Sequence, residues 1–247
     1  MATKVTGLGA QFYIAGFDLS GDVSSLDSLD GSNSPLDVTA INKSAHERLG
    51  GKRDGTIEFT TFMDVGAGQE HAALSTLPTA DVVATAIPVL AALGAPACSV
   101  MAKQVNYDGT RGNDGSLTYK VQCQANGFGL EWGEALTAGL RTDSGATVGA
   151  FWDDGASSAF GGQAYFQLIA FSGTSVTIDI QHATTSGGTY SSTGLTSAAL
   201  TTPGAQRVAV SNVTTINEFL KVVTTGTFTN AVFAVQFTRN PVAGVVF

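Results

Sequence analysis

The sequence predicts a mainly β protein with two consecutive domains. Short segments of alternating apolar and polar residues recur along the chain, and Val176, Ile178 and Ile180 form the clearest single apolar face. Thirty glycines, together with abundant Thr, Ser and Val, favour strands and tight turns over helices. Hydrophobic residues make up 43% of the 247 residues, which is enough for two packed cores.

The chain carries little charge. Only 13% of its residues are charged and the net charge is −8, whereas globular proteins usually carry about 25% charged residues. A surface with so few charges is expected when much of that surface contacts other copies of the same chain. Since there is no run of Lys and Arg, tight binding to nucleic acid phosphates is not expected.

The sequence of the first half predicts several strands and one short helix. Residues 24–35 are rich in Ser, Asp, Gly, Asn and Pro and predict a loop. Residues 69–74 predict a helix that Pro78 ends. The predicted strands of this half cover residues 9–15, 36–41, 56–63, 81–90 and 127–137.

A hairpin is predicted between residues 97 and 126, and we expect the rest of the first half to be arranged around it. Its loop contains two Asp-Gly pairs, which suit a chain reversal. Asp108, Arg111 and Asp114 lie in this loop and are secondary candidates for assembly contacts. The two carboxylates could also bind calcium, but their spacing fits turn formation better.

The two cysteines lie almost symmetrically about this hairpin. Cys98 and Cys123 would face each other across the strands if the loop were centred on residues 110 and 111. A disulfide is therefore an alternative, although two buried thiols fit cytoplasmic folding better. The three histidines are scattered, so no metal site is predicted.

Residues 42–55 predict a long exposed loop, and it is the main candidate site. The loop holds four of the chain's 12 basic residues and is bounded by Gly-Gly and Asp-Gly pairs. Its backbone polar groups would be unsatisfied if it were buried, so we expect exposure in the monomer and contact in an assembly. Deletion of Lys43–Lys52 should then prevent assembly. The candidate residues are Lys43, His46, Glu47, Arg48, Lys52, Arg53 and Asp54.

The second half predicts a separate β-sandwich. We place a first domain at residues 1–150, a linker at 151–162 and a second, Ig-like or jelly-roll-like domain at 163–247. The segment 225–230 is expected to join the last two strands as a hairpin. The predicted strands of this half cover residues 163–171, 176–181, 205–210, 219–223 and 231–237.

Catalytic patterns are weak, and neither enzyme activity nor a cofactor is predicted. Glu70 and His71 are adjacent on a helix and point apart, while Glu131 and Glu134 would face opposite sides of a strand. No phosphate loop or nucleophile elbow is present. Aromatic residues at 165, 166 and 171 could form a sugar platform, but a sandwich strand needs such residues for its core.

Segments 37–39 and 54–64 resemble the tail tube, or major tail, proteins of long-tailed bacteriophages. In that family an "Asp-Val-Thr"-like strand end precedes a polar loop and a Gly-x-x-Asp-Gly-x-Ile entry to the next strand, which is similar to Gly51 through Ile57 here. Residues 16–23 (GFDLSGDV) also look typical of actinobacterial phage tubes. Residues 226–231 look like β-sandwich appendages found on phages.

This resemblance implies a tail-tube-type β-sandwich or split barrel with one flanking short helix. Six copies would close into a ring, rings would stack into a tube, and the loop 42–55 would contact the next ring. DNA would pass through the lumen without specific binding. The implied partners are further copies, a tape measure protein and terminator or baseplate proteins, in a virion assembled in the host cytoplasm.

Two further expectations complete this interpretation. The second domain would decorate the outside of the tube, so truncation after Gly149 should still allow tubes to form.

No secretory leader is visible at the start of the sequence, and no apolar stretch reaches the roughly 18 residues of a membrane span. Alternatives are a capsid decoration or baseplate protein, a pair of carbohydrate-binding modules and, least favoured, a hydrolase.

Overall fold

A computed structural model of the protein describes residues 4–242, and its mainly β architecture confirms the predicted fold class. Fifteen strands form one antiparallel network that stays open between its end strands, and two more form a separate sheet. Among the described residues, no helix has the length and apolar character needed to cross a membrane. The elements are β1 Gln11–Ile14, β2 Phe17–Asp18, β3 Val23–Asp30, β4 Asn33–Asp37, β5 Arg48–Arg53, β6 Thr56–Phe62, α1 Glu70–Leu74, β7 Val82–Ile87, β8 Pro96–Gln104, β9 Asp108–Arg111, β10 Leu117–Ala125, β11 Glu131–Ala135, β12 Arg141–Asp143, β13 Val148–Asp153, β14 Gly162–Ala183, β15 Ser191–Thr196, β16 Gly204–Ala209 and β17 Phe219–Arg239.

The loop predicted over residues 24–35 is wrong, because β3 and most of β4 occupy it. Two β-bulges interrupt the pairing of β3 with β6, so its apolar residues Val23, Leu26 and Leu29 are spaced three apart instead of two. A search for simple alternation misses such a strand. The short helix was predicted correctly as α1.

The first core lies between β1, β7, β8, β10, β6 and α1. Phe12 and Phe59 are in contact at its centre, with their ring centroids 4.5 Å apart. Cys98 and Cys123 are both buried here as free thiols. The predicted register is wrong: Cys123 lies opposite Gln104, and Cys98 lies opposite Trp132 of β11. The physical reason is β9, which folds back onto β10 and moves the reversal towards the second strand.

The second core is enclosed by β14 and β17, which pair along almost their whole length. Residues from both ends of these strands contact one another in a single cluster, so the two-stranded ribbon bends back on itself. Register shifts near Gly173 mark the bend. The hairpin predicted over residues 225–230 is therefore wrong, since this segment continues as one strand through Gly226.

Replacement of Gly226 by Ala should destabilise this bend. Gly226 has a φ of +119°, and a Cβ there would lie 2.3 Å from the carbonyl oxygen of Ser175. Strain and the clash together should lower the free energy of unfolding by about 2–3 kcal/mol. The control Gly187→Ala meets nothing within 4 Å and should change it by less than about 0.5 kcal/mol. Urea denaturation of both variants measures the difference, and equal stabilities would contradict the assignment of the bend.

The two cores are joined by continuous pairing through β11. This strand pairs with β8 on one side and with β17 on the other. β12 and β13 also pair with β17, so the predicted linker at 151–162 begins inside β13. The division into independently folding domains remains a prediction, but parts of β11, β12 and β13 pair with the C-terminal strand β17.

Candidate functional site

The predicted loop at residues 42–55 forms half of a protruding β-hairpin. β4 and β5 pair only with each other among the described strands, and we call residues 33–54 the arm. Every residue of β4 is exposed. The prediction of exposure is confirmed for residues 42–50, 52 and 54, whereas Gly51 and Arg53 are half-buried and Gly55 is buried. The prediction of a loop is wrong for β5, because its partner β4 lies in the segment that was also predicted as a loop.

Hydrogen bonds within the arm hold its distal end in shape. Asp37 accepts from the backbone N–H of Thr39 at 2.9 Å and from Nδ1 of His46 at 3.0 Å. The Thr39 hydrogen bonds hold the pKa of Asp37 below its usual range. Lys43 pairs with Glu47 at 2.9 Å. Three of the predicted contact residues, Lys43, His46 and Glu47, therefore stabilise the arm itself.

Arg53 and Asp54 lie at the base of the arm and attach it to the protein. The Arg53 guanidinium donates to the carbonyl oxygen of Leu130 at 3.5 Å. The N–H of Asp54 donates to the carbonyl oxygen of Ser32 at 2.8 Å, which continues the ladder from β3 and β6 into the arm. These two predicted residues fix the direction in which the arm leaves the protein.

The arm also presents apolar side chains, which the sequence interpretation missed. Leu36 lies opposite Leu49 across the two strands. Leu36, Val38 and Leu49 are 55%, 47% and 58% exposed, and Ile41 at the tip is fully exposed. The signal in the sequence is four large apolar residues in a segment otherwise rich in Gly and charged residues. An unpaired strand edge can pair with another chain, and large exposed apolar patches mark interaction sites.

The weaker candidate loop lies away from the arm. Asp108 and Arg111 are exposed in β9, and Asp114 accepts hydrogen bonds from the N–H and Oγ of Ser116 at 3.0 and 2.7 Å. Those hydrogen bonds lower the pKa of Asp114. The arm joins the start of β6 and this loop lies beyond its end, so about 20 Å separates them at the rise of a strand. The structure does not bring the two candidate sites together.

The carboxylates considered for catalysis take part in internal contacts instead. Glu131 pairs with Arg207 at 3.0 Å and accepts from the Tyr165 hydroxyl. Nδ1 of His71 lies 3.0 Å from the Tyr107 hydroxyl, and burial raises the pKa of its neighbour Glu70. Within residues 4–242, no group of three or more His, Cys, Asp or Glu is arranged to hold a metal. Tyr165 and Phe166, considered for a sugar platform, are buried in the interior.

Glu134 should make stability depend on pH near neutrality. Burial, followed by repulsion from Asp154, raises the pKa of Glu134 from 4.5 to about 7. The folded protein therefore binds this proton more tightly than the unfolded chain, and the free energy of unfolding should fall as pH rises from about 4.5 to about 7. Glu134→Gln removes the charge and retains an acceptor for the Trp152 indole N–H.

We expect Glu134→Gln to be more stable than the parent above pH 7 and to differ little from it at pH 4.5. Urea denaturation of both proteins between pH 4.5 and 8 gives the difference directly. Acids that do not interact with Glu134 remain in both proteins and cancel in that comparison, whereas Asp154 interacts with Glu134 and contributes to the difference. A stability difference that does not change with pH would refute the assignment.

No protein-family model matches the chain, and no curated protein matches it. Among solved structures, the tail of an empty GTA particle, refined with helical C6 symmetry, shares 13% identity at a TM-score of 0.37, covering 53% of this chain and 98% of that one. The SPP1 Dit protein, described as a hub of the adsorption apparatus in phages that infect Gram-positive bacteria, shares 10% identity at a TM-score of 0.35, covering 93% and 99%. These scores and identities are too low to assign this chain to either group.

Proposed function

We propose that this protein is a structural subunit of a phage tail that assembles with copies of itself into stacked rings forming the tail tube. The arm is the observation that carries the proposal. It is a preformed hairpin whose apolar side chains remain largely exposed, although Leu36 and Leu49 lie opposite each other across its two strands. Covering this edge with another chain would pair its free backbone groups and bury its apolar side chains.

Two further features support the same role. The chain has few charges, as expected of a surface that is largely covered in an assembly. The order of strand, protruding segment, strand, helix and further strands in β3–β8 agrees with the tail tube resemblance of residues 37–64. The arm would contact the neighbouring ring, and the C-terminal strands would face outwards.

The remaining assignments belong to the same proposal. A tube of this kind would conduct DNA through a lumen that does not bind phosphate, for which the net charge of −8 is suitable. A tape measure protein inside the tube and terminator or baseplate proteins at its ends would be the other partners. Six copies per ring is the stoichiometry that the resemblance suggests.

Electron microscopy of the purified full-length chain tests the proposal. We expect negatively stained preparations at increasing protein concentration to contain tubes with a regular ring repeat. Discs without stacking would favour a baseplate subunit, and binding to capsids would favour a decoration protein. A chain that stays monomeric at the highest soluble concentration would refute self-assembly.

A further inference from the structure

The surface that receives the arm can be sought on the same chain, and β3 has the properties required. It is the last strand of the large sheet and pairs only with β6 among the described strands. One edge of β3 therefore presents free backbone donors and acceptors. Asp27 and Asp30 are exposed along this strand and give it negative charge.

An apolar groove runs beside this open edge. It has a volume of about 500 Å³ and lies between β3, β1 and the segment before β1. Leu26 and Leu29 of β3 line it together with Leu8, which is 79% exposed. Leu90 lies next to Gly9 at the end of the groove and is 68% exposed. Within the described residues Leu8 and Leu90 remain largely exposed, whereas Leu26 and Leu29 are half-buried and pack against the first core.

The arm matches this surface in both polarity and charge. Its apolar residues Leu36, Val38 and Leu49 would cover the groove. Arg48 and Lys52 are exposed and make no ion pair within residues 4–242, so they are available to Asp27 and Asp30. Arrangements that oppose two β3 edges would instead place like charges together, which disfavours them.

We propose that the arm of one copy binds along the β3 edge and groove of a second copy, adding its strands to that sheet. The inference rests on the proposed self-assembly and names the two surfaces that carry it. The arm prolongs the β3–β6 ladder beyond the sheet through Ser32 and Asp54, so it points away from its own β3. The arm and the groove are different surfaces. After one contact forms, the first copy still has a free groove and the second copy still has a free arm. Further copies can therefore add at both ends, and the assembly grows into a ring or filament.

Photo-crosslinking locates the receiving surface. Val38 is replaced by p-benzoylphenylalanine in an isotopically labelled chain, which is mixed with unlabelled chains, assembled and irradiated. We expect labelled-to-unlabelled crosslinks to residues 7–12 or 23–30. The same replacement at Val213, which is 79% exposed, is the control and should not label those residues.

The crosslinking results separate this inference from the proposed function. Crosslinks that map elsewhere, in preparations whose micrographs show tubes, would overturn the groove as the partner and leave the tube proposal intact. Crosslinks within single chains would overturn the intermolecular contact. A chain that forms no assembly would refute both.

Charge reversal tests the pairing of the arm with β3. Arg48→Glu/Lys52→Glu and Asp27→Lys/Asp30→Lys should each raise the concentration needed for assembly by about tenfold or more. All four substitutions together should restore most of the loss. Asp153→Lys, an exposed charge reversal on β13 outside both the arm and β3, is the control and should have little effect. If the fourfold variant remains as defective as either double variant, or if neither double variant is defective, the pairing is wrong.

Discussion

A chain in which residues 34–52 are replaced by Asn-Gly is expected to fold normally and to remain monomeric. Asn33 and Arg53 lie opposite each other at the base of the arm, so a two-residue turn can close the ladder there. The replacement keeps Arg53 with its contact to Leu130 and removes only exposed or half-buried side chains. The replacement leaves both cores intact. It removes the apolar and basic residues that we assign to the contact between copies.

Light scattering after size-exclusion chromatography measures assembly, and urea denaturation measures folding. We expect the free energy of unfolding to change by less than about 1 kcal/mol, since no core contact is lost. The matched control is Val213→Ser, which removes a similarly exposed apolar side chain elsewhere and should leave assembly unchanged. Tubes of normal appearance from the arm-less chain would refute the role of the arm.

The structure also changes how the arm should be deleted. Removal of Lys43–Lys52, the deletion suggested by the sequence, would take away almost all of β5 and leave β4 without its partner. An unpaired strand of this kind promotes aggregation. Loss of tubes in that deletion would then have two explanations, whereas the shortened hairpin has one.

Substitution of Arg207 by Met should cost about 3–5 kcal/mol of folding free energy. Arg207 on β16 is 5% exposed and its partner Glu131 on β11 is fully buried. The guanidinium also lies over the Phe128 ring at 3.7 Å. Without Arg207, the Glu131 carboxylate is left inside the protein with the Tyr165 hydroxyl as its remaining donor. An uncompensated buried charge is among the most destabilising changes that one substitution can make.

The control is Glu131→Gln/Arg207→Met, which removes both charges and keeps similar side-chain volumes. We expect this double variant to regain a large part of the stability lost by Arg207→Met, because it leaves no buried ion. Urea denaturation of the three proteins completes the comparison. If the double variant is as unstable as Arg207→Met, packing around Phe128 is the cause and the ion pair is not.

The same pair affects the proposed truncation after Gly149. That truncation removes β16 and β17, and so takes Arg207 from Glu131 and one paired edge from β11. A chain shortened there should therefore carry Glu131→Gln to separate loss of this pair from loss of a domain. Tubes formed by the shortened chain would support an outer, dispensable C-terminal domain, and an unfolded product would contradict it.

The sequence by itself determined the features that depend on neighbouring residues. Alternation in residues 56–62 and 176–180 predicted the strands and their buried faces correctly, because side chains of a strand point alternately to its two sides. Local composition also predicted the short helix α1 at residues 69–74 and the exposure of residues 42–55, most of which are exposed. These properties need no knowledge of the distant partner.

Only the tertiary structure decided which strands pair and in what register. The bulges that space Val23, Leu26 and Leu29 three apart exist because β6 is the partner of β3. Cys98 and Cys123 are separated because β9 takes up part of the hairpin. Gly226 continues one strand because β14 pairs with β17 on both sides of it. In each case the hydrogen bonds come from residues far along the chain, so the local pattern allowed several arrangements and the partner strand selected one.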